Sequence, residues 1–591
     1  MSKRPGHSDT NSAAIRISTN SNTNSNSSNT DMSGCQPQYS KSDVAASNED
    51  DKSLFINSNS NSDRDSNGST SPASTLLDRK RYIPTTARGR ASENLLDVDI
   101  ESIDNSSDLV MSCHTVMSDG LDQLLEFDVV SNTISEIGMG TYQWKLFWLC
   151  GMGWVADNMW LQGIASALPK FQREFDLSDT VAGLGITSVF VGMIFGAAGW
   201  GVVSDIIGRR PAFSYTLLLA GICGTLSAFS PSFPILCAAF TSLALGVGGN
   251  LPVDGTLFLE FTPTEHQNLL TLMSIFWPVG QVLVSIIAMF VIPSNSCPDT
   301  GPCDAAQNRG WRLLLFTIGI ITLLMVVFRI LFFRMLESPK FLLAAGRRGE
   351  ALAVLHELAR CNGKVITLDF EDLSVPTQPL AIQRKSKYGW DKITPLFLKN
   401  TRLTTILVWL IWALVSTGYT MFNGFLTKFL KLHGGQTPLS DIETYHNYAI
   451  ISLFGVPGSI LGTYAVETHL GRIGTMSLAT LGTSLSLGLF TIFTSSNGQM
   501  AVSCVESLLQ NTMYGVIYAY TPEVFRTESR STAVGIASSL SRITGAAAPV
   551  ITGALLEWNL NFPLYLSSFL IFLAFLCMIM LPIETRGRVA H

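Results

Sequence analysis

The chain has 591 residues and a net charge of -6, and 47% of its residues are hydrophobic while only 14% are charged. This balance excludes a single soluble globular core, and the small, dispersed charge without a basic stripe excludes a nucleic-acid partner. Because the first 140 residues or so are polar, the apolar excess lies in the remainder and indicates a protein of the lipid bilayer.

The first segment, 1–140, is of low complexity. Ser and Asn fill eight of the ten positions in SNTNSNSSNT, residues 21–30. Such a segment has too few apolar residues to offset the entropy lost on ordering, so we predict a disordered tail. It has no secretory signal pattern, and we expect the first membrane span to direct targeting. Its serines are either phosphorylation sites or part of a plain solvated tail.

From Trp144 onward, apolar runs of about twenty residues recur, each long enough to cross about 30 Å of hydrocarbon as a helix. A polar linker at 334–402 separates two six-span domains, 141–333 and 403–582, and a short tail follows at 583–591. The twelve predicted spans are about 145–165, 181–203, 211–229, 235–260, 270–292, 312–333, 403–425, 447–466, 473–494, 500–520, 532–556 and 562–582.

Arginines in short loops set the predicted orientation. GRRP, LGR and FRTESR carry arginine, whereas SPSFP, SSNGQ and EWNLN at the other ends of the spans carry neither Lys nor Arg. By the positive-inside rule we expect both termini in the cytosol, with the plasma membrane as the first choice and an intracellular membrane as the alternative.

The expected outer side also carries basic residues and two loop cysteines. Four lysines and arginines oppose the orientation count without reversing it: Lys170, Arg173, Lys428 and Lys431. In SNSCPDTGPCD, Cys297 and Cys303 either form a disulfide, which persists outside the cytosol, or remain two thiols.

The two sets of six spans match each other at three places about 260 residues apart. GWGVVSDIIGRR after the second span matches GTYAVETHLGR after the eighth, and EFTPTE matches AYTPEV. Trp277-x-x-Gly280 in the fifth span matches Arg542-x-x-Gly545 in the eleventh. Three matches in the same order predict a duplicated six-span unit with a site between its two copies.

These motifs resemble the major facilitator superfamily, beginning with G-x-x-x-D-x-x-G-R-R at 201–210. LESPKFLLAAGRRGEALAVLHELA and LPIETRGR resemble sugar-porter motifs, the first of which includes an amphipathic helix in the linker. GMGWVADNMWLQ, GVGGNLPVDGTLFLEF and SSLSRITGAAAPV resemble the branch of synaptic-vesicle-glycoprotein-like proteins and organic cation/anion transporters, especially its fungal members. The resemblance covers residue 138 to the C-terminus. It implies an all-α membrane protein with twelve transmembrane helices in two pseudo-symmetric six-helix halves, the major facilitator fold.

Three departures from the family patterns argue against a sugar as the substrate. Trp160 stands where the branch often has Glu, and FTSLALGVGG lacks the arginine that sugar porters usually place before the glycine run. Glu467 also lies one residue further from Gly471 than Asp205 lies from Gly208.

Asp205 ends the second span at a helix C-terminus, whose dipole disfavours an anion. The eleventh span begins on the same side, near Arg530, and its N-terminus is expected to compensate that charge. The resemblance implies a cytoplasmic latch between the halves, with Gly208 in the turn and two arginines on the membrane surface; positive-inside anchoring alone is the alternative. The gate candidates are Asp205, Gly208, Arg209, Arg210, Glu467, Arg472 and Arg530.

Ionisable side chains inside the spans are candidates for the transport site, because burying them in a bilayer is costly. Asp157 and Asp254 lie mid-span, and we expect them to exchange a proton or bind a cation. Arg542 keeps its charge, so it requires an anionic solute or an internal salt bridge to Glu506 or Asp254. The amides and Trp277 either line the cavity or simply bridge helices. The proton or substrate candidates are Asp157, Asn158, Asn250, Asp254, Trp277, Gln281, Asn423, Glu506, Asn511 and Arg542.

No P-loop, metalloprotease motif or nucleophile elbow occurs in the sequence, which argues against an ATP-driven pump and against an enzyme. We expect no cofactor and no metal. The sequence predicts a secondary-active transporter of a small organic solute, an organic anion or a sugar-like compound, coupled to protons. The alternative is a membrane sensor or binding protein that keeps the fold without transport. The sequence leaves the oligomeric state open.

Overall fold

The computed structural model describes residues 127–267, 269–297, 307–333, 335–370, 394–398, 401–433, 439–525 and 527–586, without the side chains of 332, 394, 395, 432, 433 and 527–531. Most of the predicted tail lies outside these ranges. Its last part, 127–137, is a helix that buries Val130, Ile134 and Ile137. The predicted boundary at residue 140 therefore falls three residues beyond an ordered helix.

Twelve long helices follow in two sets of six. The first set is α1 (Thr141–Glu174), α2 (Asp179–Ile207), α3 (Arg209–Ser227), α4 (Phe233–Phe261), α5 (Phe276–Val291) and α6 (Gly310–Phe332). The second set is α7 (Arg402–Asn423), α8 (Asp441–Ala465), α9 (Gly471–Ile492), α10 (Ser496–Val524), α11 (Thr527–Trp558) and α12 (Phe562–Ile579). Each helix coincides with one predicted span, and the described residues contain no strand.

Nine of these helical segments, among the described residues, are long and apolar enough to cross a membrane. The three that are less apolar are α1, α3 and α10. Helices α1 and α10 bury polar side chains, among them Asp157, Gln162, Glu506 and Gln510, which lowers their mean hydropathy although they are 34 and 29 residues long. Buried polar side chains within these two helices indicate where a polar ligand would bind.

Short polar caps determine where several helices begin. The Ser178, Ser440 and Ser495 side chains accept hydrogen bonds from backbone N–H groups in the first turns of α2, α8 and α10. Glu443 completes a capping box with Ser440. All three caps lie at the same end of the bundle, opposite the linker.

The linker forms two helices in its described part, Pro339–Ala344 and Arg348–Cys361. The second is amphipathic, because Ala351, Leu355, Leu358 and Ala359 are buried while its charged residues face outward. We call the end of the bundle that holds the linker and the α2–α3 turn the linker end, and the end that holds the three serine caps the opposite end.

The halves pack together along two helix pairs, α2 with α11 and α5 with α8. At Gly183 of α2, an added Cβ would lie 2.6 Å from the carbonyl oxygen of Pro549 in α11, so glycine permits this close crossing. Helices α1, α4 and α10 bury the carboxylates Asp157, Asp254 and Glu506, and α11 buries Arg542. The fold therefore brings polar faces of both halves together in one region.

Cys297 lies just beyond α5 and is disulfide-bonded. Cys303, the partner expected from the sequence, lies outside the described residues. The proposed pairing of these two cysteines remains a prediction.

Candidate transport site

The region between the halves holds buried carboxylates, amides and one arginine, and Asp157 is at its centre. Asn250 Nδ2 of α4 donates a 2.7 Å hydrogen bond to Asp157 Oδ1 of α1. Asp157 is 2% exposed and Asn250 is fully buried, yet Asp157 Oδ2 and Asn250 Oδ1 have no hydrogen-bond partner. A buried carboxylate with one free oxygen is equipped to receive a proton or a donor group of a ligand.

Asp254 has an ion partner that the sequence did not suggest. Arg329 of α6 lies 3.2 Å from its carboxylate, and both side chains are almost fully buried. Arg329 also donates to the carbonyl oxygens of Phe213 (2.7 Å) and Leu149 (3.1 Å). Its guanidinium stacks 3.6 Å from the centre of the Phe213 ring. Asp254 is therefore held within the first half.

Gly153 makes room for this pair. A Cβ at this position would lie 2.0 Å from Asp254 Oδ2 and 2.5 Å from Arg329 Nη2. The glycine in GMGWVADNMW is thus explained by the ion pair beside it. Arg329 itself was missed, although a lone arginine in the apolar run VVFRILFF is the signal that could have identified it.

Arg542 lies in the second half and contacts the first. It lies in α11, is 6% exposed, and its Nη2 donates to the carbonyl oxygen of Gly248 in α4 at 3.3 Å. Among the described residues no carboxylate lies within 4.0 Å of it, and the predicted internal salt bridge to Glu506 or Asp254 is not formed. Asp157 and the Tyr518 hydroxyl are the groups that act on Arg542 electrostatically from a greater distance.

Aromatic rings form one wall beside these charges. Trp277 of α5 stacks on Trp154 with ring centres 5.1 Å apart and contacts Tyr518 at 4.9 Å. Trp412 of α7 packs edge-on against Tyr518 at 4.7 Å. The indole N–H groups of Trp154 and Trp277 have no hydrogen-bond partner. This wall therefore offers both ring surface and donors.

Some of the predicted amide side chains make contacts in the site between the halves, whereas others make ordinary contacts within one half. Gln281 Nε2 contacts Asn158 Oδ1 at 3.5 Å and the Tyr419 hydroxyl at 3.3 Å, which joins the two halves. Asn423 Nδ2 donates to Gln510 Oε1 at 3.3 Å. Asn511 instead donates to the Ser507 carbonyl of its own helix at 2.8 Å, so one of its two amide N–H donors is engaged within α10.

The gate candidates form two matching networks at the linker end. In the first half, Arg209 binds Asp205 at 2.7 Å and lies 3.6 Å from Glu260, while Glu337 accepts the backbone N–H groups of Arg209 (2.8 Å) and Arg210 (3.3 Å). Asp205 thus pairs within its own half, and 65% of its side chain is exposed. Asp205 makes no hydrogen bond to the described part of α11, and the side chain of Arg530 lies outside the described residues, so the latch remains a prediction.

The second half repeats this arrangement. Arg472 lies 3.1 Å from Glu523 and 3.5 Å from Glu467, and Glu584 accepts the backbone N–H groups of Arg472 (2.9 Å) and Ile473 (3.0 Å). The arginines are among the gate candidates predicted from the sequence, whereas Glu337, Glu523 and Glu584 are not. All three lie in the quoted motifs LESPK, AYTPEV and LPIETRGR, so the duplication itself was the available signal.

Ion pairs between the halves, among the described residues, lie at the opposite end. Lys170 of α1 binds Asp441 of α8 at 2.5 Å, and Lys428 binds Asp179 of α2. Thr180 Oγ1 donates to Glu557 at 2.8 Å beside them. Two of the four basic residues that opposed the orientation count, Lys170 and Lys428, therefore join the two halves.

The family model of the Major Facilitator Superfamily matches residues 147–502 and 439–590. An uncharacterized MFS-type transporter of Schizosaccharomyces pombe is 37% identical over 78% of this chain and 88% of its own length. MFS siderochrome iron transporter 1 of Ceriporiopsis subvermispora is 37% identical over 78% and 91%, and the synaptic vesicle 2-related protein of Xenopus laevis is 28% identical over 78% and 82%. The partially occluded inward open xylose transporter XylE from E. coli superposes with a TM-score of 0.59 at 16% identity, over 76% of this chain and 99% of that one.

Proposed function

Since the chain belongs to the Major Facilitator Superfamily, as its motifs predict, and is a multi-pass membrane transporter rather than an enzyme, we propose that it moves a small organic solute by proton-coupled alternating access. The solute carries a carboxylate or another anionic group, and a neutral sugar-like compound is the second choice. Both termini are in the cytosol, and the plasma membrane is the first choice of location.

The observation that supports this proposal most strongly is the environment of Arg542. A guanidinium buried between two halves is costly unless an anion compensates it. Its hydrogen bond to the Gly248 carbonyl satisfies one donor of five and supplies no countercharge. An anionic group of the solute supplies that charge and, because Arg542 and Gly248 belong to different halves, draws the halves together around the solute.

Asp157 is the proposed proton carrier. Its Oδ1 is held by Asn250, which fixes the carboxylate, while Oδ2 is free to accept the proton. Arg542 acts on this carboxylate electrostatically. A solute anion that neutralises Arg542 therefore removes a positive influence from Asp157 and favours its protonation, which couples the two binding events.

Uptake into proteoliposomes tests the proposal. We expect one or more members of a panel of mono- and dicarboxylates, sugars and organic cations to accumulate, with faster uptake under an inward proton gradient. Asp157→Asn should abolish the gradient dependence, because the amide preserves shape and cannot carry the proton. Arg542→Gln should raise the KM for anionic solutes at least tenfold with normal membrane insertion.

Three results would contradict parts of this scheme. Saturable binding of a solute without flux would favour the sensor alternative. An unchanged proton dependence in Asp157→Asn would reject Asp157 as the carrier, and unchanged affinity for every anion in Arg542→Gln would reject the anion contact.

A further inference from the structure

A second buried charge without an ion partner lies in α10. Glu506 is 2% exposed, its Oε1 has no hydrogen-bond partner, and no Lys, Arg or His of the described residues lies within 4.0 Å of its carboxylate. It therefore differs from Asp254, which Arg329 neutralises, and from Asp157, which Asn250 holds.

The surroundings of Glu506 come from both halves. The hydroxyl groups of Tyr419 (α7), Tyr448 (α8) and Tyr514 (α10) lie within electrostatic reach of its carboxylate. Gln162 of α1 faces the Tyr448 hydroxyl. We call Glu506, these three tyrosines and Gln162 the Glu506 pocket.

Several atoms of this pocket are buried without a hydrogen bond. Besides Glu506 Oε1, they include Tyr448 Oη, which can accept from a ligand, and Ser503 Oγ, which lies one turn away from Glu506 on the same helix. Buried polar atoms in proteins are almost always paired, so a group of unpaired ones drawn from α8 and α10 indicates a place where a ligand supplies the partners.

The chemistry of the unpaired atoms identifies the ligand. A proton on Glu506 would satisfy one oxygen and leave the tyrosine hydroxyl and the neighbouring groups as they are. A protonated amine supplies a full countercharge to the carboxylate and two or three N–H donors for the hydroxyl oxygens around it. The tyrosine rings add a surface that tolerates a cation.

The pocket is separate from the position of Arg542. Glu506, Gln510, Tyr514 and Tyr518 are spaced four residues apart and share one face of α10. The Tyr518 hydroxyl acts on Arg542 electrostatically, and twelve residues of helix place Glu506 about 18 Å from Tyr518 along the axis. The polar face of α10 thus runs from a cationic end to an anionic end.

We infer that the Glu506 pocket binds a protonated primary or secondary amine, so that the solute of this transporter carries an N–H-bearing cationic group in addition to its anionic group. The inference rests on the proposed function in taking the space between the halves as the solute site.

The test uses the purified full-length chain in nanodiscs and three pairs of probes: tyramine and tyrosol, hexylamine and 1-hexanol, putrescine and 1,4-butanediol. Binding is followed by tryptophan fluorescence titration and by thermal shift. We expect saturable binding of one or more amines with a Kd at least tenfold lower than that of the matching alcohol.

Glu506→Gln should weaken amine binding at least tenfold, and Tyr448→Phe should weaken it two- to fivefold. Glu265→Gln, an exposed glutamate outside the pocket, is the matched control and should bind as the parent chain does.

Size-exclusion profiles show whether Glu506→Gln is folded, and Tyr448→Phe keeps the test valid if it is not. The inference is overturned if no amine binds, if the alcohols bind equally well, or if Glu506→Gln and Tyr448→Phe retain full amine affinity. Loss of only the proton dependence of uptake in Glu506→Gln, with amine affinity unchanged, also overturns it and assigns Glu506 to the proton.

Amine binding by a chain that transports nothing would uphold the inference and reject the proposed function. Anion uptake without any amine binding would uphold the proposed function and reject the inference.

Discussion

At the scale of single residues, the contrast between Asp254 and Arg542 separates charges that stabilise the fold from charges available to a ligand. Both lie mid-span and both were candidates from sequence. Asp254 has a cation within 3.2 Å, whereas Arg542 has only a carbonyl oxygen. A buried pair is costly to break because one charge is then left uncompensated in a low dielectric.

We therefore expect Arg329→Gln to lower the free energy of unfolding by about 3–5 kcal/mol, since it leaves Asp254 buried without its countercharge. The combined Arg329→Gln and Asp254→Asn variant should recover part of this loss. Thermal unfolding in detergent measures both. Arg347→Gln is the control, because its ion pair with Glu350 is more than half exposed and should contribute about 0–1 kcal/mol. Equal losses in Arg329→Gln and Arg347→Gln would show that the buried pair has no special role.

Sequence reasoning identified which residues of the spans carry charge but not how they pair. Arg329 and Asp254 are 75 positions apart on helices α6 and α4, and their contact depends on the rotation of both helices about their axes. Hydrophobic periodicity in a span that is apolar on nearly every side does not determine that rotation. The position of Asp157 inside a span was predictable for the opposite reason, because a carboxylate in an apolar run is visible without any knowledge of packing.

At the scale of elements, the turn between α2 and α3 depends on one glycine and one distant carboxylate. Gly208 has φ +100°, a conformation that other residues rarely adopt. Its hypothetical Cβ would lie 2.6 Å from Glu337 Oε2, the group that accepts the first backbone N–H groups of α3. The anion at this helix N-terminus also interacts favourably with the helix dipole.

Gly208→Ala should accordingly cost about 1–3 kcal/mol through backbone strain and displace Glu337. Gly346→Ala is the matched control: it also has positive φ, +74°, but has no atom within 4 Å of the added Cβ. Limited proteolysis of the linker is the measurement, and we expect faster cleavage in Gly208→Ala than in Gly346→Ala. The same cleavage rate in both variants would mean that the turn does not depend on the contact with Glu337.

Helix ends were predicted within about six residues, except that α1 continues nine residues past its predicted end at 165, because each span is a long apolar run bounded by turn residues. The helix at 127–137 was not predicted, because the surrounding composition is polar. Its own pattern nevertheless contained the signal: Phe127, Val130, Ile134 and Ile137 recur at intervals of three and four residues, which is typical of a helix with one buried face.

At the scale of the whole molecule, the two halves hold each other through charges at the opposite end. Lys170 with Asp441 and Lys428 with Asp179 connect helices of different halves, and their side chains are only partly exposed. Alternating access requires these contacts to break when that end opens. Their strength therefore sets part of the balance between the two conformations.

Removing two of these charges, with Lys428→Gln and Asp441→Asn together, should shift the population toward a state open at the opposite end. Spin labels at the exposed positions Asp176 and Asn559 report the distance between the halves there. We expect a longer distance to gain population relative to the unsubstituted chain, and Glu357→Gln on the linker surface to leave the distribution unchanged. An identical distance distribution in the double variant would exclude a role for these ion pairs in closure.

Glu337 and Glu584 give the duplication a sharper boundary than the apolar runs do. Each lies beyond the sixth helix of its half, yet each reaches back to the first turn of the third helix of the same half. The repeated unit is therefore longer than six membrane crossings, because it includes a short extension that returns to the first turn of its own third helix. A separately expressed half that ends at the last apolar residue of α6 or α12 would lack these hydrogen bonds to its third helix, whereas one extended past Glu337 or Glu584 would retain them.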